Sequence, residues 1–239
     1  MRIAIVSDIH GNRTAFEAVL ADLQRTAPDM IFHGGDLADG GSSPTEIVDR
    51  IRGLGWPGVI GNTDEMLVRP ESLAEFASQS PKMKPLFDVI DEMASFTRSA
   101  LGEDRISWLG ALPQTQTHAP IALVHAGPES RWRCPAHDAP DADLESVFGA
   151  LGQKIAVHGH IHRPYVRNVN ELTVVNTGSV SLSYDGDPRA SYLLIDGHTP
   201  TIRRVDYDID REVEELRGAG TPHADWIARI LKTASFAMP

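Results

Sequence analysis

The sequence predicts an α/β fold in which parallel strands come first, antiparallel strands come later, and a helical stretch is inserted between them. Three observations predict it. Strand-like apolar runs alternate with helix-period segments over the first sixty residues. Residues 65–112 carry helical spacing and few strand signals. Residues 165–205 hold short, close-spaced strands with turn residues between them.

Residues 3–6 read as a buried strand. Residues 14–23 place Ala15, Phe16, Val19, Leu20 and Leu23 at helical spacing. Residues 29–33 form a second strand that ends at Gly34-Gly35-Asp36. Residues 44–54 form a second helix, with Ser43 and Glu46 spaced for a capping box. Val59-Ile60 closes a third strand at Gly61-Asn62. This order predicts parallel strands joined by right-handed crossovers, with ligands beyond the strands' carboxyl ends. In the inserted stretch, Pro81 and Pro85 read as helix breaks. Strands return at 121–124 and 155–157, with a helix over 141–151 between them. Segments 165–168, 172–176, 191–195 and 201–205 read as the antiparallel set. Two amphipathic helices, 212–216 and 225–231, lie in a tail at about 209–235. We read residues 1–239 as one domain with a helical insertion at about 65–112.

Bulk properties narrow the function classes. No apolar run is long enough to span a bilayer. The N-terminal apolar run meets Asp8 and His10 at once, so it reads as a first strand and not as a signal peptide. Cys134 is the single cysteine, which excludes an internal disulfide and points to a reducing, cytoplasmic setting. Net charge is −11 and the Lys and Arg residues are scattered. A partner with a long phosphate backbone needs a basic stripe, so no large nucleic acid is expected, and with no spanning run no membrane is expected either. A small phosphorylated substrate remains open, given local positive charge from bound metals or a few placed arginines.

Polar ligand types sit at five strand ends: Asp8, His10, Asp36, Asn62, His125, His158 and His160. Taken singly, each reads equally as a turn residue, a helix cap or a surface histidine. Taken together they supply carboxylate, amide and imidazole donors with no thiolate. That mix suits Mn, Fe, Co, Ni or Zn rather than Ca. Seven donors exceed one tetrahedral site and suit two sites sharing a carboxylate, an arrangement that serves displacement at phosphorus.

The segments SDIHGN, GGDLAD, GNTDE, VHAG and HGHIHRP occur in that order. They resemble the calcineurin-like metallophosphoesterases, whose signature is DxH, GD, GN, then H and GHxH. The resemblance runs from residue 1 to about residue 205. It includes NTGSV at 176–180, which is similar to the bacterial phosphodiesterase branch. It implies a two-sheet αββα sandwich with two divalent metal ions at the carboxyl-end rim. It further implies that Asp8, His10 and His160 hold one ion, that Asn62, His125 and His158 hold the other, and that Asp36 bridges them as the catalytic carboxylate. A metal-bridging hydroxide would then attack phosphorus.

One position departs from the pattern. Many relatives carry a histidine after the asparagine to protonate the leaving oxygen, and here it is Thr63. A hydroxyl is a poor proton donor near neutral pH. Substrates with good leaving groups, such as aryl or nucleotide phosphoesters, are therefore favoured unless another acid serves. His162 is the first candidate and Asp64 the second, with a supporting or surface role as the other reading of His162. Asn12 and Arg13 either touch a substrate phosphate or simply start a helix. Arg131 and Arg133 either grip a phosphate or belong to a solvated loop. Trp132 and Tyr184 either stack a ring or pack.

The expected activity is hydrolysis of small phosphodiesters or phosphomonoesters by a binuclear-metal phosphoesterase. A symmetrical dinucleoside polyphosphate hydrolase and a protein phosphatase are the alternatives, both disfavoured by Thr63. A binding scaffold, like the retromer subunit of this fold, predicts eroded ligands and is disfavoured by the full set. The acidic charge weighs against a nuclease.

Overall fold

Ile3 and Ile5 point to one face of the first strand, and Ala4 and Val6 to the other, as alternation along a strand requires. This alternation sorts the core into layers. The computed structural model describes residues 1–239. Strand β1 (Arg2–Val6) leads to α1 (Arg13–Thr26), β2 (Met30–His33) and α2 (Pro44–Leu54). Helices α3 (Asn62–Val68), α4 (Glu71–Ala77) and α5 (Lys84–Gly110) follow. Then come β3 (Thr115–His118), β4 (Ile121–Val124), α6 (Asp141–Phe148) and β5 (Ile155–His158). Strands β6 (Tyr165–Val169), β7 (Leu172–Asn176), β8 (Ala190–Asp196) and β9 (Thr199–Val205) precede α7 (Ile209–Gly218) and α8 (Ala224–Thr233).

The strands form two mixed sheets, ordered β2-β1-β8-β9 and β3-β4-β5-β7-β6. Between them lies an apolar layer in which Ile3, Ile5, Leu193 and Ile195 of one sheet meet Leu123, Ile155, Val157 and Val175 of the other. On the outer face of the first sheet, Ala4 and Val6 pack with Phe16 and Val19 of α1 and Ile47 and Ile51 of α2. On the outer face of the second sheet, Val124, Ala156 and Val174 pack with Leu144 and Phe148 of α6. The result is the two-sheet αββα sandwich. A satellite cluster joins Met93 of α5 to Val213 and Leu216 of α7 and to Ile227, Ile230 and Leu231 of α8. No helix is long and apolar enough to cross a membrane.

Several local expectations need correction. Val59 and Ile60 form no strand: a single parallel bridge joins His33 to Gly58, and the Ile60 N–H turns away to the Pro113 carbonyl. Their apolarity reflects burial between layers and not ladder pairing. The later strands pair antiparallel within the hairpins β6–β7 and β8–β9, as expected, but they are divided between the two sheets. Strand β7 pairs parallel to β5, and β8 pairs antiparallel to β1, so the chain crosses back into the first sheet. Strand β3 was not predicted; its sequence, TQTH, is polar and only half-buried. The capping box at Ser43 does not form: Ser43 makes no side-chain cap bond, and Glu46 pairs with Arg13. Pro81 and Pro85 start helical turns and do not break them, as the missing N–H of proline permits in a first turn.

Candidate metal centre

Loops at the strand ends collect a buried polar cluster. Asp8 and His10 follow β1, and Asp36 follows β2. Asn62 opens α3, His125 follows β4, and His160 and His162 follow β5. Donor atoms of Asp8, His10, Asp36 and His162 all lie within 4.8 Å of one another. Asp8, His10, Asp36, His160 and His162 adopt positive φ, a costly conformation for residues other than glycine. Strain of that kind persists only where surrounding structure enforces it, and it concentrates at functional sites. Gly159 is required here: a Cβ on it would collide with the Asp8 carboxylate and the Ser7 hydroxyl.

The histidine tautomers show what the cluster is built to hold. His10 Nδ1–H donates to the Asp39 carbonyl at 2.7 Å, His125 Nδ1–H to the Gly34 carbonyl at 2.8 Å, and His162 Nδ1–H to the Leu182 carbonyl at 2.6 Å. Each ring thereby turns its Nε2 into the cluster. His10 Nε2 lies 3.3 Å from His162 Nε2, and His162 Nε2 lies 3.2 Å from an Asp8 carboxylate oxygen. His125 Nε2 lies 2.9 Å from Asn62 Oδ1 and 3.4 Å from Asp36 Oδ2. His160 Nδ1 also reaches Asn62 Oδ1, at 2.8 Å. Acceptors facing acceptors are unfavourable unless a cation lies among them. Histidines anchored through the second ring nitrogen are the usual support of metal ligands. The residues present therefore fit divalent cations, and the nitrogen and oxygen donor set suits Mn, Fe, Co, Ni or Zn.

Protonation tells the same story. Burial works to lower the pKa of His125, but the Asp36 charge outweighs it and pushes the ring up to about 10. The proton there occupies the role of a cation. Burial works to raise the Asp36 carboxyl, yet His125 and His10 hold it well below the usual carboxylate range. Burial lowers His10, and burial with the His125 charge takes His160 down to about 4, so both rings offer lone pairs near neutral pH.

His158 is the main correction. It still belongs to β5, where it pairs with Asn176, and its ring stacks on Phe148 at 4.8 Å. Its Nδ1 accepts from Asn176 Nδ2 at 3.2 Å, and its Nε2–H donates to the Tyr165 hydroxyl at 2.8 Å. Both nitrogens are engaged away from the cluster. Its place is taken two residues on: His160 lies beside Asn62 and His125, and His162 beside Asp8 and His10. The signal was present in the sequence. In HGHIHRP, the GHxH pattern starts at Gly159 and selects His160 and His162.

Other expected site residues are engaged elsewhere. Asn12 Oδ1 caps α1 at Ala15 N, and its amide donates to Ser181. Arg13 pairs with Glu46 and Glu215 on a different surface. Arg131 donates to Glu65 at 2.7 Å, and Arg133 donates to Gln79; both line a neighbouring polar cleft. Asp64 is not placed as an acid. Its carboxylate accepts from the N–H groups of Asp36, Leu37 and Gly61 at 2.8, 2.9 and 3.0 Å, which ties two loops together. Burial and the Asp36 charge raise it to about 6. Thr63 N–H donates to Asp36 Oδ1 at 2.9 Å, and its hydroxyl has no partner.

The cluster floors a cavity of about 160 Å³. His10, Asp36, Asn62, Thr63, His160 and His162 form its polar end. Its other walls are apolar, with Ile90 and Met93 from α5 and Trp226, Ile227 and Ile230 from α8. Tyr184 stacks on His162 at 4.7 Å, and Trp132 stacks on Phe76 at 4.9 Å; both rings border the cavity.

A family model described as the calcineurin-like phosphoesterase superfamily domain matches residues 1–199. The chain belongs to that superfamily. Among curated relatives, an uncharacterized protein of Methanocaldococcus jannaschii is 29% identical, with 96% of each chain covered. A probable cyclic nucleotide phosphodiesterase of Synechococcus is 23% identical over 70% of this chain and 71% of its own. A metallophosphoesterase from Sphaerobacter thermophilus superposes with a TM-score of 0.79 at 27% identity, covering 98% of this chain and all of that one. A hypothetical protein from Pyrococcus horikoshii shares the fold with a TM-score of 0.85 at 17% identity, covering 99% of both. As a calcineurin-like phosphoesterase, the chain has phosphoester hydrolysis with divalent metals as its family-level chemistry, and its buried cluster is a possible site for such metals.

Proposed function

We propose that this protein is a binuclear-metal phosphoesterase acting on a small phosphodiester or phosphomonoester. Asp8, His10 and His162 would hold one divalent ion, and Asn62, His125 and His160 the other. Asp36 would be shared, since its carboxylate lies 3.4 Å from His125 Nε2 and 3.7 Å from His10 Nε2. The observation that supports the reading is the convergence of three histidine Nε2 atoms, each aimed by a backbone carbonyl on the opposite ring nitrogen.

Cations held there would supply Lewis acidity and lower the pKa of water. The chain's own residues do the rest. The Asp39, Gly34 and Leu182 carbonyls fix the three tautomers. Thr63 N–H orients the Asp36 carboxylate, and Asp64 locks the loop that carries it. His162, once a candidate acid, faces Asp8 and His10 inside the cluster and is assigned here as a ligand. Thr63 supplies no proton at the position where many relatives carry histidine, so esters of acidic alcohols suit the site best.

The test is hydrolysis of bis-p-nitrophenyl phosphate and p-nitrophenyl phosphate with Mn, Ni, Co or Zn supplied. Metal-dependent turnover supports the reading. No turnover with any of these ions would leave a binding role for the same fold.

A further inference from the structure

The apolar half of the cavity plays no part in holding metals, and it carries information about the substrate. We infer that it is a subsite for one uncharged, single-ring ester group of the substrate, an inference that rests on the phosphoesterase reading above. Three observations converge. First, the seventeen residues lining the cavity include no lysine or arginine, and the acids among them are Asp36 and Asp39. A second phosphate or a carboxylate on the ester group would find no cationic side chain among these walls to offset its desolvation. This disfavours nucleoside polyphosphates as the occupant.

Second, the volume is about 160 Å³. That figure includes the polar end, and an apolar cavity of about 150 Å³ is what benzene fills, so the apolar half has room for at most one six-membered ring. Third, the wall is built by segments outside the metal-bearing loops. Ile90 and Met93 come from α5, while Trp226, Ile227 and Ile230 come from α8, which lies beyond the matched residues 1–199. Helix α8 is locked in place by its own apolar cluster with α7 and Met93. The ring pocket is therefore built jointly by α5 and by the C-terminal helix α8.

Binding and turnover together test the inference. Methyl-, phenyl-, 1-naphthyl- and 4-carboxyphenylphosphonate would be titrated calorimetrically into the manganese-loaded protein. Burial of a phenyl ring predicts that phenylphosphonate binds at least about tenfold tighter than methylphosphonate, and tighter than the other two. Phenyl- and methylphosphonate within twofold, binding of neither, or equal binding of the carboxylated ring would overturn the subsite. Ile90→Trp, which fills the space, should bring the phenyl-to-methyl ratio close to one. Trp226→Ala, which widens it, should shift preference toward the naphthyl compound. Unchanged ratios in both would overturn the assigned walls. Ring preference without hydrolysis of any nitrophenyl ester would support the subsite and overturn the phosphoesterase reading. Hydrolysis without ring preference would do the reverse.

Discussion

The Nε2 atoms of His10 and His162 face each other at 3.3 Å, while the Nδ1 of each ring donates to a backbone carbonyl. Two imidazole nitrogens are thus held together by parts of the chain 152 residues apart in sequence. In the proposed site a divalent cation would take both nitrogens as ligands and turn this close contact into a stabilising one. Manganese at about a hundred times its dissociation constant should add about 2.7 kcal/mol of stability. For a chain of this size that raises Tm by roughly 5–10 °C, and EDTA should reverse the gain. Calorimetric scans with and without metal check this. An unchanged Tm would argue against a preformed site.

The assignment of His162 over His158 separates two variants. His162→Ala should lower metal affinity at least about tenfold and reduce turnover accordingly. His158→Gln should leave metal stoichiometry intact. It should cost about 1–3 kcal/mol of stability, because Tyr165 and Asn176 lose a buried partner. Metal analysis and urea unfolding of the two variants check this pair.

Much of the buried cluster was legible in the sequence, because polar side chains gather beyond strand ends in an α/β sheet: Asp8, His10, Asp36 and His125 follow such ends, whereas Asn62 opens a helix after a segment that forms no strand. His158 misled for a physical reason. It is the last residue of β5 and still obeys strand alternation, whereas His160 and His162 sit in a positive-φ turn that strand reasoning does not anticipate. The pairing of Arg131 was not legible, because its partner, Glu65, is 66 residues away in the chain. The amphipathic pattern of the last helix showed that one face is buried. It did not show that the face closes the cavity beside the cluster, since periodicity says nothing about what lies opposite.

Metal affinity should depend on pH in a defined direction. In the metal-free protein His125 holds its proton up to about pH 10. Its folded pKa exceeds its ordinary value of 6.5, so its contribution to metal-free stability is full below about pH 6.5 and is lost as pH rises through 10. Metal must displace that proton. Affinity should therefore rise about tenfold per pH unit between pH 6 and 8 for each proton released. Isothermal titrations at several pH values, in buffers of different ionisation enthalpy, measure both the slope and the proton count. A flat profile would contradict the raised His125.

The Thr63 hydroxyl borders the cavity and has no hydrogen-bond partner. Thr63→His places an imidazole at that position. Turnover of alkyl phosphoesters should rise at least about tenfold relative to nitrophenyl esters, because only the poor leaving group needs a proton. Kinetics on a leaving-group series check this through the slope of log kcat/KM against leaving-group pKa, which should become shallower in the variant.

The central claim is a pair of cation sites that share Asp36. Anomalous diffraction from crystals grown with manganese tests it most directly. The account predicts two anomalous peaks flanking the Asp36 carboxylate, one contacted by Asp8, His10 and His162 and the other by Asn62, His125 and His160. A single peak, or a peak contacted by His158, would contradict it.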